Sequence, residues 1–465
     1  MDKPTIGLLG LTLDFYEQLA PQLCSERERF VREKLIPALA PAAEARFERA
    51  VCRREDVERM VAGFEKDGLD AILVVLLTYA PSLIAVRALK QTRLPVIIWN
   101  TQELYAVDES YDDDALLANH GVHGVQDLCN VLTRERVPFY CVSSHLEDSA
   151  PLGELPDLFQ AARAVNRLRR MRIGQLGYGF PGMGDFGVDT SHLANSLGCT
   201  CQPLSISEFV HRAADAEPTQ IKALVDEYRG VYEVTNGVTQ EDMQAAARAE
   251  VALRGLIVDY RLDAFTYQFL AFGQDDRTET LPFVAASRLL AEGIGFGGEG
   301  DVISAAHSAV ANMLLPPAGF SEVFTIDFAG NGLLLSHMGE ANAAMAAQGR
   351  KIRLVRRPTP IVPIRGNQLA MVFSYQRGEA TLSTLTLTAG QRWRIIAAAV
   401  RVEDFGPLEH LAVPHSKIHP SLDVRDFLNA YFQASGPHHL ALGFGDARKR
   451  LAYLAKFLDA DYVEI

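Results

Sequence analysis

Two hydrophobic periodicities divide the chain. Through the first 170 residues, short β-branched runs alternate with amphipathic stretches of helical length. Thr5–Leu13, Ala71–Tyr79, Pro95–Trp99, Pro138–Val142 and a weaker Phe47–Cys52 read as strands, with Arg54–Lys66 and Leu83–Gln91 as helices. Alternation of this kind predicts a parallel sheet wrapped by helices. Both faces of such a sheet are covered, which explains why Ala71-Ile-Leu-Val-Val-Leu-Leu77 is apolar throughout instead of alternating. A helix over Pro156–Arg170 ends in the basic stretch Arg167–Arg172, where cationic side chains complement the helix dipole, and a new strand starts at Ile173. The βα rhythm then resumes with a strand near Cys201–Leu204, a long helix over Thr239–Asp259 behind the capping sequence Thr239-Gln-Glu-Asp242, and a strand near Ala264–Phe269.

From Ser321 onward the pattern changes to extended segments at Glu322–Phe328, Gly332–His337, Ile352–Val355, Leu369–Tyr375, Ala380–Leu387 and Arg392–Val402. A short helix is expected at Ala341–Ala347 and terminal helices at Val424–Ala434 and Asp446–Leu458. The expected fold class is α/β: two Rossmann-like βα sandwich domains with parallel sheets, 1–170 and 171–320, followed by a C-terminal antiparallel β-rich, barrel-like domain, 321–465.

Composition narrows the function classes. At 465 residues the chain exceeds what one core organises, and 48% hydrophobic with 22% charged residues is ordinary for a globular protein. The formal charge of −13 opposes nucleic acid and anionic membranes as partners. No apolar run is long enough for a membrane span, the amino terminus lacks the features of a signal peptide, and six scattered cysteines fit a reducing cytoplasm.

Two glycine clusters invite a dinucleotide reading. Gly177-Tyr-Gly-Phe-Pro-Gly182 follows a strand but is broken by Pro181, and the next strand ends without an acidic residue for a ribose. Gly293-Ile-Gly-Phe-Gly-Gly298 follows a helix over Pro282–Glu292, so its glycines instead let backbone crowd a site beside Glu299, just ahead of a helix starting at Val302. A lone glutamate there is ordinarily a helix-dipole partner. The odds change with Glu322 and Asp327 on one predicted strand, His337 beyond the turn Gly330-Asn-Gly332, and the pair His438-His439. Mixed carboxylate and imidazole donors suit Mn²⁺, Mg²⁺ or Co²⁺ better than a structural zinc.

The segment Leu281–Asp301, with Glu-Val-Phe-Thr at Glu322, Leu-Leu-Ser-His-Met-Gly at His337 and the late His438-His439, resembles the L-arabinose isomerase family and the related L-fucose isomerases. The resemblance implies an aldose–ketose isomerase of free sugars, built as a trimer or hexamer. It implies that Glu299, Glu322, His337 and His439 hold Mn²⁺, that Glu299 and Glu322 also move the proton, and that His438 lies beside the substrate. It further implies that His123 and His120 in Asn-His-Gly-Val-His-Gly reach a neighbouring subunit's site, and that Met183 and Phe272 face substrate. Asp327 stands as an alternative metal ligand, because strand alternation puts it and Glu322 on opposite faces. The stretch Leu11-Thr-Leu-Asp-Phe-Tyr16 departs from the family's Gln-His-Leu-Tyr-Gly, leaving the sugar open and making Tyr16 and Asp14 candidate pocket residues. The alternatives are an epimerase or isomerase of an unusual sugar or sugar acid, for which Arg277 would supply a carboxylate partner, and a non-catalytic cytoplasmic sugar-binding protein. No redox cofactor is expected.

Overall fold

The structure, a computed structural model, describes residues 3–358, 364, 368–406 and 408–465. It divides into two compact units, Met1–Arg167 with Tyr453–Asp459, and Leu168–Ala452 with Ala460–Ile465.

The first unit is built on a five-stranded, all-parallel sheet in the order Glu44–Arg46, Thr5–Leu11, Ala71–Leu76, Val96–Asn100, Phe139–Ser143. Every residue of Ala71–Leu76 is buried, as a central strand covered on both faces requires. The helix Arg54–Lys66 turns Val57, Met60, Val61 and Phe64 inward at helical spacing. The expected strand Phe47–Cys52 is displaced: the edge strand is Glu44–Arg46, and Val51 makes only a single bridge to Leu11. The reason is tertiary, because the Ala50 amide is taken at 2.7 Å by the side chain of Glu28, 22 positions away, instead of by the ladder.

The second unit contains a four-stranded parallel sheet, Gly295–Gly297, Ala264–Tyr267, Arg172–Leu176, Thr200–Leu204. Gln240–Tyr260 packs beside it behind a true capping box, in which Thr239 and Asp242 satisfy each other's backbone amides. The same unit holds the antiparallel strands of the carboxyl-terminal half. Six of them, Gly378–Thr388, His439–Phe444, Ala318–Asp327, Gly332–Ser336, His415–Pro420 and Arg392–Val402, close on one another to form a barrel, and Asp461–Glu464 adds in parallel outside it. Closure removes the open edges that an antiparallel sheet would otherwise expose. The helix expected over Ala341–Ala347 is only the 3₁₀ turn Ala343–Met345. Ala347 leaves it to donate its amide to Ser374, and Ala346 bridges Tyr375. No helix among the described residues is long and apolar enough to cross a membrane.

One irregularity bears on the site. Between Val323 and Thr325 the strand Ala318–Asp327 bulges by one residue, so Glu322 pairs with Ser336 while Asp327 pairs with Gly332, four positions on. Glu322 and Asp327 therefore share a face, contrary to simple alternation, and are separated along the strand instead of across it.

Charge is buried away from the site as well. Glu250, fully buried, accepts from Tyr228 at 2.7 Å and from Arg254 and Arg288 at 2.9 Å each. Removing the carboxylate leaves two guanidinium groups without their shared partner. Glu250→Ala should therefore lower unfolding free energy by about 3–5 kcal/mol in urea melts, and a loss below about 1 kcal/mol would contradict the pairing.

Candidate metal centre

The site lies at the carboxyl ends of the central parallel strands, where open α/β sheets place their ligands. Gly295–Gly297 runs directly into Gly298-Glu299-Gly300. Glu299 adopts a left-handed backbone with φ 57°, a costly conformation for a residue with a Cβ. It is held there by the Phe180 amide, which donates to its carbonyl at 2.9 Å. The flanking glycines answer to space: a Cβ on Gly298 would lie 3.0 Å from His337 Nε2, and one on Gly300 only 2.4 Å from the Tyr178 carbonyl. Asp301 then caps the helix Val302–Leu314 by accepting from the Ile303 and Ser304 amides.

The barrel supplies the remaining donors. Glu322 and His439 stand opposite each other on adjacent antiparallel strands, and Glu322 Oε1 lies 2.8 Å from His439 Nε2. Glu299 Oε2 is 3.2 Å from His439 Nε2 and 3.4 Å from His438 Nε2. Glu299, Glu322, His438 and His439 each offer one donor atom, all within 4.8 Å of one another. His337 borders this group, its Nε2 3.7 Å from Glu322 Oε1. That nitrogen is buried without a hydrogen-bond partner, which costs free energy unless something fills the position. A cation among these donors supplies that partner, so the residues present fit a metal ion.

Each histidine is held from behind by a carboxylate. His439 Nδ1 meets Asp301 at 2.8 Å, His438 Nδ1 meets Asp185 at 2.6 Å, and His337 Nδ1 meets Glu340 at 2.6 Å. Tyr267 in turn donates to Glu340. Such outer carboxylates fix which ring nitrogen faces a metal and strengthen it as a donor. Phe320 packs edge-on to both His337 and His439, and Phe186 stacks flat on His439 at 5.6 Å. Beside the cluster opens a cleft of about 700 Å³, with Asp185 and His438 on one wall and Phe324, Phe427, Tyr431 and Phe432 among its apolar lining.

The electrostatics follow from these contacts. Burial disfavours charge on all three histidines, yet their carboxylate neighbours outweigh it: His438 is raised to about 9, His439 well above its ordinary value, and His337 upward. Burial likewise works to raise Glu299, but hydrogen bonds from His438 and His439 reverse it and hold the carboxyl below its usual range. Without a metal these contacts favour the protonated rings, and protons and a cation compete for the same nitrogens.

The structure thus gathers Glu299, Glu322, His438 and His439, with His337 at their border. It does not bring Asp327 to them, since that carboxylate pairs with Lys417 at 2.8 Å and accepts from the Gly330 amide. Phe272 is fully buried in the core against Phe209 and Tyr267. Met183 is half-buried in the loop that carries Asp185. Arg277 is engaged with Asp275 and Ser207, and is not among the clustered residues. In the first unit, His120 and His123 bond to each other at the start of the helix Gly121–Arg134. Tyr16 lies on the short helix Asp14–Leu19, where Asp14 pairs with Arg53 at 3.0 Å and makes no cap. A second group with suitable donors, Asp14, Glu17 and Cys52, is found there too. Asp185, Glu340 and Tyr267 are functional neighbours that the sequence does not announce. Asp301 is signalled only as a helix cap.

Comparison with known proteins gives the chain a family. Residues 188–315 match the L-arabinose isomerase central domain and residues 317–461 the L-arabinose isomerase C-terminal domain. The chain belongs to the L-arabinose isomerase family. It is similar to the L-arabinose isomerase of Nocardioides sp., at 27% identity over 85% of this chain and 80% of that protein. The enzymes of the same name from Anoxybacillus flavithermus and Geobacillus kaustophilus are each 26% identical over 90% of this chain and 83% of their own lengths. A periplasmic solute-binding protein of Actinobacillus succinogenes, solved with D-allose, covers 67% of this chain and 92% of its own, at 13% identity and a TM-score of 0.15. That score is too low to carry an argument.

Metal binding should be linked to proton release. Calorimetric titration with Mn²⁺ at pH 7, in buffers of different ionisation enthalpy, should show net release, with apparent affinity rising with pH as the raised His439 and His337 rings lose their protons. Buffer-independent heats would contradict protonated histidines at the centre.

Proposed function

We propose that this member of the family is a divalent-metal-dependent aldose–ketose isomerase of a free sugar. The observation that carries the reading is the convergence of two carboxylates and two histidines on one small space, with the unpartnered Nε2 of His337 at its border. Glu299, Glu322, His337 and His439 would hold the ion, and His438 would face the sugar. Mn²⁺ is favoured, with Mg²⁺ or Co²⁺ compatible, because oxygen and imidazole donors are mixed without thiolates. The bound ion polarises the neighbouring carbonyl and hydroxyl oxygens of the substrate, so that a carbon-bound proton becomes acidic enough to move.

The chain's own groups do the rest. Glu299, kept ionised by its histidine contacts, takes the proton from C2 of the aldose. Glu322 carries the hydroxyl proton from O2 to O1, giving the enediolate with its charge on O2. Return of the carbon-bound proton to C1 completes the ketose, so two protons move and no electrons leave the substrate. Phe186 and Phe320 cover His439 and His337, which strengthens the interactions that stabilise charge on the enediolate oxygens.

The assembly we propose is a homotrimer or homohexamer in which His123 and His120 of a neighbouring subunit help complete the pocket. What supports this is the exposure of His123 at a helix start and its bond to His120. A division into three domains at 1–170, 171–320 and 321–465 is supported by the family matches that meet between residues 315 and 317. The six free cysteines suit a cytoplasmic setting. L-Arabinose is the first sugar to try, with other pentoses, hexoses and deoxy sugars beside it, because the stretch Leu11–Tyr16 differs from the family pattern.

Elemental analysis and a sugar panel test the reading together. Wild type should carry about one Mn²⁺-class ion per chain and form a ketose from some aldose, whereas Glu299→Gln and His439→Ala should lose the ion and at least about 10²-fold in turnover. A folded wild type that takes up no metal from added Mn²⁺ yet binds sugar would contradict it and favour a binding protein.

A further inference from the structure

The glycine-rich arm that follows the strand Arg172–Leu176 has the wrong sequence for a phosphate loop, yet it touches the metal cluster repeatedly. Its Phe180 amide holds the Glu299 carbonyl, and its backbone at Tyr178 and Gly179 leaves no room for a side chain at Gly300. Further along, Phe186 lies flat on the His439 ring with an 8° angle between planes. Asp185, the residue before it, reaches the other histidine.

The two histidines are secured very differently. His439 is fully buried, stacked by Phe186, met edge-on by Phe320 and bonded to Asp301, so several independent contacts fix its ring. His438 is 38% exposed, its ring meets those of Phe186 and His439 only at a tilt, and among the described residues it has one hydrogen-bond partner besides the acidic groups of the cluster itself. That partner is Asp185, whose Oδ2 accepts from both the His438 backbone amide at 2.9 Å and the ring Nδ1 at 2.6 Å. A single carboxylate oxygen bonded to both the main chain and the ring fixes the peptide and the side-chain torsions at once. It also requires the hydrogen on Nδ1, which turns Nε2 toward Glu299 and Glu322, 3.4 and 3.8 Å away.

We propose that Asp185 is a positioning residue that sets the direction of the His438 ring for the sugar, acting through that ring and not through the metal. The functional half of this statement rests on the isomerase reading; the structural half does not. The arm bearing Asp185 and Phe186 thereby becomes a brace for the histidine pair, with Phe186 steadying the buried ring and Asp185 the exposed one. Gly182 turns the chain ahead of these two side chains with a backbone at φ 94°, which glycine adopts readily.

A double-mutant cycle over Asp185→Ala and His438→Gln, with crystal structures of the single variants and Asp185→Asn as the conservative replacement, tests this. Asp185→Ala should raise KM for the sugar that wild type isomerises by about 10-fold or more while the Mn²⁺ dissociation constant stays within about 2-fold. Asp185→Asn, which still accepts from Nδ1, should recover most of the loss. In the His438→Gln background, removal of Asp185 should cost nothing further. The Asp185→Ala crystal should show the His438 ring displaced and the His439 ring in place. Additive losses, or a Mn²⁺ affinity that falls as far as kcat/KM, would overturn the proposal. If wild type isomerises no sugar at all, the isomerase reading fails, while an undisturbed His438 ring in Asp185→Ala would separately overturn the role of Asp185.

Discussion

One cross-strand pair organises the site. Glu322 and His439 occupy facing positions on neighbouring antiparallel strands, which brings carboxylate and imidazole to 2.8 Å without any loop having to fold correctly first. Barrel closure fixes that register, since a one-residue slip would turn both side chains to the opposite face. The central sheet then adds Glu299 from the far end of Gly295–Gly297. The two layers of this unit thus meet at the cluster, one contributing a rigid rung and the other a strained turn.

Concentrating so many ionisable groups in a buried place is costly unless each is paired. The solution is reciprocal: every histidine faces the inner carboxylates with Nε2 and an outer carboxylate with Nδ1. Asp301 serves twice, bonding His439 with one oxygen and capping the following helix with the other. Orientation of the donors is therefore built into secondary structure, and little rearrangement is needed before a cation can be held. The raised histidines and the lowered Glu299 are two views of the same pairing, and a bound cation takes over the role of the protons.

Much of this was legible in the sequence, for identifiable reasons. Arg54–Lys66 and Arg392–Val402 have the expected bounds because their hydrophobic spacing is unbroken and their ends are marked. Glu299 stood out because a charged residue among glycines ahead of a helix is unusual, and its left-handed backbone explains the glycines. Edge and bulge effects were not legible. Nothing in Glu44–Cys52 says that a distant glutamate will take the Ala50 amide. Alternation alone separates Glu322 from Asp327 across the strand, whereas the extra residue near Phe324 places them on one face with Asp327 tied to Lys417. The outer carboxylates Asp185 and Glu340 were equally silent, since an acidic residue after a glycine carries no pattern of its own. Asp185 reaches a partner 253 positions away.

The most direct test of a single metal centre is a crystal structure of the wild-type protein grown with Mn²⁺, with anomalous differences collected at the manganese edge. The account predicts one strong peak per chain within bonding distance of Glu299, Glu322, His337 and His439, with Asp301, Asp185 and Glu340 still on the far sides of their histidines. A peak elsewhere, such as at Asp14, Glu17 and Cys52, or a cluster still closed on itself by hydrogen bonds with no peak among its donors, would contradict it.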